Sequence, residues 1–134
     1  MPSSVIRQSV TFKVAPQAVY ETLMDSRKHA RFTGAAAKIS RKVGGTIMAY
    51  DGYITGANIE LIPDTKIVQT WHASDWPAGA TSQVTFTLTA IPGGTRLTFT
   101  QRGVPAEHIA DIKQGWIDNY WMPMQAMLNK AHSA

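Results

Sequence analysis

The apolar and polar positions of this chain follow two different periods, and the change from one to the other divides it into a long strand-rich part and a terminal helix. Ile6, Gln8, Val10, Phe12 and Val14 alternate with Arg7, Ser9, Thr11 and Lys13, the two-residue period of a half-buried strand. Ala15-Pro16 ends that strand, and proline suits the first position of a helix whose apolar residues are Val19, Tyr20, Leu23 and Met24. A further helical turn is expected from Ser26 to Phe32. Gly44-Gly45 opens a strand through Tyr50, and Asp51-Gly52 between strand formers predicts a hairpin into a strand from Tyr53. Asn58 to Ile62 alternates again, Pro63-Asp64-Thr65 turns the chain, and Lys66 to Trp71 runs back. After a loop from His72 to Thr81, Val84, Phe86 and Leu88 alternate with Thr85, Thr87 and Thr89, and Pro92-Gly93-Gly94-Thr95 turns into Arg96 to Gln101.

From Glu107 onward the period becomes helical. Wound at about 100° per residue, the segment puts Ile109, Ile112, Trp116, Ile117, Tyr120, Trp121, Met124, Met127 and Leu128 on one stripe, with Asp111, Asp118, Gln125 and Asn129 opposite. Pro123 removes one backbone donor and crowds the carbonyl of Asn119, so a bend is expected there. Gly115 falls away from the stripe, where nothing in the pattern accounts for it. The order is strand, one or two short helices, about six antiparallel strands and a long helix. Such an aromatic stripe is hidden most economically by laying it across one curved sheet, an α+β arrangement in a single domain spanning residues 1–134.

Composition narrows the function classes. With no cysteine, neither a disulfide framework nor a thiolate metal site can form. No apolar run approaches the roughly 18 residues of a membrane span, and the start has no apolar signal core, so a cytoplasmic protein without a membrane partner is expected. The net charge is +4, with Arg27, Lys28, Arg31, Lys38, Arg41 and Lys42 in one stretch free of acids. That stretch has a single aromatic ring of this kind, Phe32, in place of the interleaved series of a nucleic-acid groove, and reads as a solvated face.

Candidate chemistry concentrates on the helix stripe. Trp116, Tyr120, Trp121 and Met124, with Met48, Tyr50, Tyr53 and Trp71 from the strands, could wall a pocket for a flat apolar molecule or form plain core. Lys113, set in the stripe, is a counter-charge for an anionic headgroup if it sits at a cavity mouth, and a snorkelling lysine if it does not. Trp76-Pro77 would lie over the opening as a lid or as rim filler. His29, His72, His108 and His132 are scattered without metal-ligand spacing, and Tyr50, Asp75 and His72 are not brought together by spacing. No nucleophile elbow, P-loop or dinucleotide fingerprint is present, so no cofactor, metal or catalytic set is expected.

An ordered set of residues carries a resemblance. Phe12 to Tyr20, Val43-Gly44-Gly45 with Tyr50-Asp51-Gly52, Ile54-Thr55-Gly56, Thr70-Trp71, Asp75-Trp76, Gly94 to Thr98, Gly115-Trp116 and Tyr120-Trp121-Met122-Pro123 resemble the activator-of-Hsp90-ATPase-homologue-like family, within the SRPBCC (START-like) superfamily. The resemblance runs from about Val10 to Leu128. It implies a helix-grip fold, a seven-stranded antiparallel sheet around the C-terminal helix with an apolar cavity between them. Eukaryotic activators of Hsp90 carry an additional N-terminal domain to which none of these residues corresponds. The expected function is therefore binding of a small hydrophobic or amphipathic molecule, by a monomer or homodimer. A chaperone-associated interaction module is the first alternative, and an enzyme using Lys113 or Tyr120 the second.

Overall fold

The computed structural model describes residues 5–76 and 81–133, with side chains through residue 129. Seven strands form one antiparallel sheet in the order β1-β7-β6-β5-β4-β3-β2. They are β1 (Val5–Phe12), β2 (Lys38–Ile39), β3 (Thr46–Ala49), β4 (Ile54–Ile62), β5 (Lys66–Ala73), β6 (Ser82–Ile91) and β7 (Gly94–Arg102). Helices α1 (Pro16–Met24) and α2 (Ser26–Thr33) carry the chain from the β1 edge to the β2 edge. Pro16 opens α1, Asp25 caps α2 by accepting the Lys28 N–H at 3.0 Å, and Gly34 closes α2 at φ 76°. The remaining edge-to-edge order follows from short hairpins, which force antiparallel neighbours.

The terminal helix begins as α3 (Ile109–Trp116), widens into a π-helical stretch over Ile117–Trp121, and continues as α4 (Met122–Ser133). In the wide turn the Met122 N–H reaches back five residues to the Ile117 carbonyl. Pro123 is the cause that lies closest. It has no N–H to return to Asn119, and its ring would strike that carbonyl in a regular α-turn. The Asn119 carbonyl instead accepts the Tyr50 hydroxyl at 3.3 Å. The expected bend is thus taken up as an extra residue in one turn, which turns Tyr120 and Trp121 inward together and leaves Ile117 exposed, against the sequence assignment of Ile117 to the stripe.

The core lies between helix and sheet. Ile6, Phe12, Ile67, Val84, Phe86, Leu97 and Phe99 from the strands meet Trp116, Tyr120, Trp121, Met124 and Leu128. The helix flank opposite that stripe is also held, because Gln125 donates to the Thr11 carbonyl at 2.9 Å and Asn129 accepts the Lys13 N–H at 2.9 Å.

Two local readings of the sequence change in the structure. The β3–β4 connection is a four-residue loop in place of a two-residue turn, with Tyr50, Asp51 and Gly52 at φ 52°, 57° and 98° and Ala49 paired to Ile54. A tyrosine at positive φ is strained, and its hydroxyl bond to the helix together with the Asp51–Ala36 backbone and side-chain bonds holds the loop in place. In β4 a bulge between Asn58 and Glu60 inserts Ile59 as an unpaired residue. Alternation had Ile59 and Leu61 on one face; the bulge buries Asn58 and leaves Ile59 44% exposed.

Asn58 is satisfied in that buried position. It donates to the Ser40 and Lys42 carbonyls at 2.7 and 3.0 Å and accepts from Gln69 at 3.0 Å. Replacing it by alanine leaves buried groups unpaired, so Asn58→Ala is expected to cost about 3 kcal/mol, while Ile59→Ala should stay within about 0.5 kcal/mol. Urea unfolding midpoints of the two variants check this, and strict alternation predicts the reverse order.

Candidate functional site

Three tryptophans of the core each give their indole N–H to a glutamine of the sheet. Trp71 donates to Gln69 at 2.9 Å, Trp116 to Gln101 at 2.8 Å and Trp121 to Gln8 at 2.7 Å. Gln101 continues to Ser82, and Ser82 to the Trp71 carbonyl, so Trp116 and Trp71 are tied through one buried chain of hydrogen bonds. Trp116 lies at the centre of the rings, 4.3 Å from Phe99, 4.5 Å from Tyr120, 4.8 Å from Trp71 and stacked on Trp121 at 5.4 Å.

Where α3 leaves the β4–β5 end of the sheet, a cavity of about 370 Å³ remains open. Tyr50, Tyr53, Trp71, Trp76, Trp116 and Tyr120 wall it, with Ile54 and Gln101 from the sheet. Its helix side is the row Asp111, Ile112, Gly115 and Asn119. Six of the residues singled out in the sequence are brought together here. Met48 lies instead beside a second, water-sized space with His29 and Gln69, Met124 is fully buried core, and Trp121 is core bonded to β1. Lys113 is exposed and outside the cavity wall, its carbonyl accepting from Gln8 at 3.0 Å. Trp76 is buried against the cavity, with ring contacts to His72 and His108; Pro77 lies outside the described residues.

The sequence reading missed Asp111 and Gly115 as wall residues, having set both on the far side of the helix. The signal was available in the spacing: 112, 115, 116 and 119 follow one another at three- and four-residue steps. Gly115 now has a physical account. A β-carbon there would meet only the Asn119 side chain, at 3.7 Å, so packing does not demand glycine. Gly115 leaves open space at this point of the cavity wall.

The polar groups of the cavity wall are neutral donors and the Asp111 carboxylate, with Asp75, His72 and His108 beside it. Tyr53 donates to Asp75 at 2.7 Å, and burial, then that bond, pushes its hydroxyl up to about 12. Burial raises Tyr50 to about 12 as well. The Tyr120 hydroxyl pairs with His29 Nε2 at 2.9 Å, deep in the core, and burial holds it well above 10. A phenol so placed stays protonated at neutral pH and supplies no base. His29 Nδ1 and the Trp76 indole N–H have no hydrogen-bond partner among the described residues. The basic stretch lies apart from the cavity; Arg41 pairs with Glu21, and Arg27, Lys28, Arg31, Lys38 and Lys42 are exposed.

Fold and cavity together define a helix-grip domain with an aromatic chamber. Residues 13–129 match the family model described as Activator of Hsp90 ATPase homolog 1-like protein, and the chain belongs to that family. It is 33% identical over 110 residues to the Activator of 90 kDa heat shock protein ATPase homolog of Dictyostelium discoideum, and 30% identical over 121 residues to human Activator of 90 kDa heat shock protein ATPase homolog 1. The matches cover 81% and 90% of this chain but only 28% and 36% of those relatives, so the chain spans about a third of their length. The crystal structure of an HSP90 activator from Plasmodium falciparum superposes with a TM-score of 0.87 at 25% identity, covering 92% of this chain and 95% of that one. No helix among the described residues is long and apolar enough to cross a membrane.

Burial also holds the His29 imidazole at about 4, below its ordinary 6.5. Because the folded value lies below the unfolded one, the unfolded chain binds more protons between these limits. The contribution is complete above about pH 6.5, declines as pH falls and is gone below about pH 4, a loss of about 3 kcal/mol. Urea midpoints from pH 8 to pH 4 should fall less steeply in His29→Gln, which keeps a partner for Tyr120 but does not titrate.

Proposed function

We propose that this chain is a binding module whose chamber takes up a small apolar or amphipathic molecule, with Tyr50, Tyr53, Trp71, Trp76, Trp116 and Tyr120 as its walls. One observation carries the reading: a cavity of about 370 Å³, within the size of small-molecule sites, opens beside a packed aromatic core, and its helix wall includes a glycine with open space around its Cβ position. Gly115 lowers helix stability by about 1 kcal/mol relative to alanine, and the contacts around it offer no compensation.

The neutral fluorophore N-phenyl-1-naphthylamine tests this. The native protein is expected to bind it saturably near one equivalent per chain and to show quenched tryptophan emission. Gly115→Leu should abolish binding while leaving stability unchanged or raised by up to about 1 kcal/mol. No saturable binding by the native protein would overturn the reading.

Family membership favours a second reading, contact with an Hsp90-type chaperone. The curated relatives named as activators are about three times longer than the matched region. This domain alone is therefore expected to change the ATP hydrolysis rate of such a chaperone less than twofold at excess. Steady-state hydrolysis measures it, and several-fold activation would place the chaperone contact ahead of the chamber.

A further inference from the structure

The charge distribution around the chamber runs opposite to that of the whole chain. Thirteen Lys and Arg against nine Asp and Glu give a net charge of +4. Yet among the described residues, those lining the chamber include Asp111 and no Lys, Arg or His. Asp75 lies beside it, accepting the hydroxyl of the wall residue Tyr53, and Asp111 acts on the same hydroxyl through space. Among the described residues neither carboxylate is in an ion pair, the two salt bridges being Arg41–Glu21 and Lys66–Glu60. Lys113, the nearest cation along the helix in sequence, is exposed and not part of the wall.

From this we infer that the chamber selects an organic cation, an amine or quaternary ammonium carried on an apolar or aromatic body, in preference to the neutral or anionic equivalent; the inference rests on the chamber being a binding site. Six aromatic residues line the interior, three of them tryptophan, the ring that attracts cations most strongly. The two carboxylates supply long-range attraction at the opening, where water screens them only in part. An anionic headgroup would meet Asp111 and Asp75 with no counter-charge in the wall. Asp111 also stands in the first turn of α3, where a carboxylate favours the helix N-terminus, so a structural role must be separated from recognition.

The test uses three matched probes on the native protein at pH 8, followed by calorimetry and tryptophan quenching. They are (2-naphthylmethyl)trimethylammonium, its neutral carbon isostere 2-neopentylnaphthalene, and 2-naphthylmethanesulfonate. The ammonium is expected to bind about tenfold more tightly than the isostere, and the sulfonate more weakly than both. In Asp111→Asn the ammonium should lose about threefold to fivefold in affinity while the isostere is unaffected, which a purely structural effect of Asp111 would not produce. Equal binding of isostere and ammonium, or tighter binding of the sulfonate, overturns the cation preference and leaves the chamber as a binding site. Failure of all three probes overturns the preference too, and N-phenyl-1-naphthylamine then decides separately whether the chamber binds anything.

Discussion

A buried indole N–H is costly to leave unpaired, and the acceptors that Trp116 and Trp121 find fix how the terminal helix sits on the sheet. Trp116 and Trp121 reach Gln101 on β7 and Gln8 on β1, and Trp71 reaches Gln69 within β5. Each bond contributes only about 1 kcal/mol net, but an indole left unpaired in the core costs about 1–3 kcal/mol. Rotating or sliding the helix by one residue would break two of these bonds at once and separate Trp116 from Phe99, Trp71 and Tyr120. The glutamines therefore act as a register for the helix, in the way that hydrophobic contact alone, being non-directional, could not.

The chamber follows from that register. With Trp116 pinned against Trp71 and Phe99, the start of α3 stands off from the β4–β5 end of the sheet. The Tyr50 loop and Trp76 line the gap, and Gly115 leaves open space in its helix wall. Tyr50 joins the two halves of the arrangement. Its strained backbone holds the phenol where the hydroxyl reaches the Asn119 carbonyl, to which Pro123 has no N–H to give. A proline in the helix, a wide turn and a positive-φ tyrosine in a hairpin loop are thus parts of one construction at the chamber wall.

Family membership and chamber describe different surfaces of the same domain. The family is named for an effect on a large partner, which requires an outer face, whereas the chamber is a half-open cleft between helix and sheet. The exposed cations of α2 and the β2–β3 connection lie apart from the chamber wall, which carries Asp111.

Much of this was legible in the linear pattern. The strands, the terminal amphipathic helix and the order between them follow from period-two and period-3.6 spacing, because burial of one face imposes those periods wherever the backbone is regular. Tyr50, Tyr53, Trp71, Trp76, Trp116 and Tyr120 could be named as a set because aromatic residues on inward faces converge when a sheet curls around a helix. What the pattern could not show arises where regularity fails. The bulge at Ile59 reverses which of Asn58 and Ile59 is inside, the wide turn before Pro123 turns Ile117 out, and the loop at Tyr50 replaces a two-residue turn. The bulge and the wide turn each add a residue, which shifts the side chains that follow by a step, and the loop takes one residue from each flanking strand; only the packed partners reveal these changes. Asp111, Gly115 and Lys113 were misplaced around the helix for a related reason. The wheel gives angles between residues, but which angle faces a cavity depends on where the sheet ends, and that is decided in three dimensions.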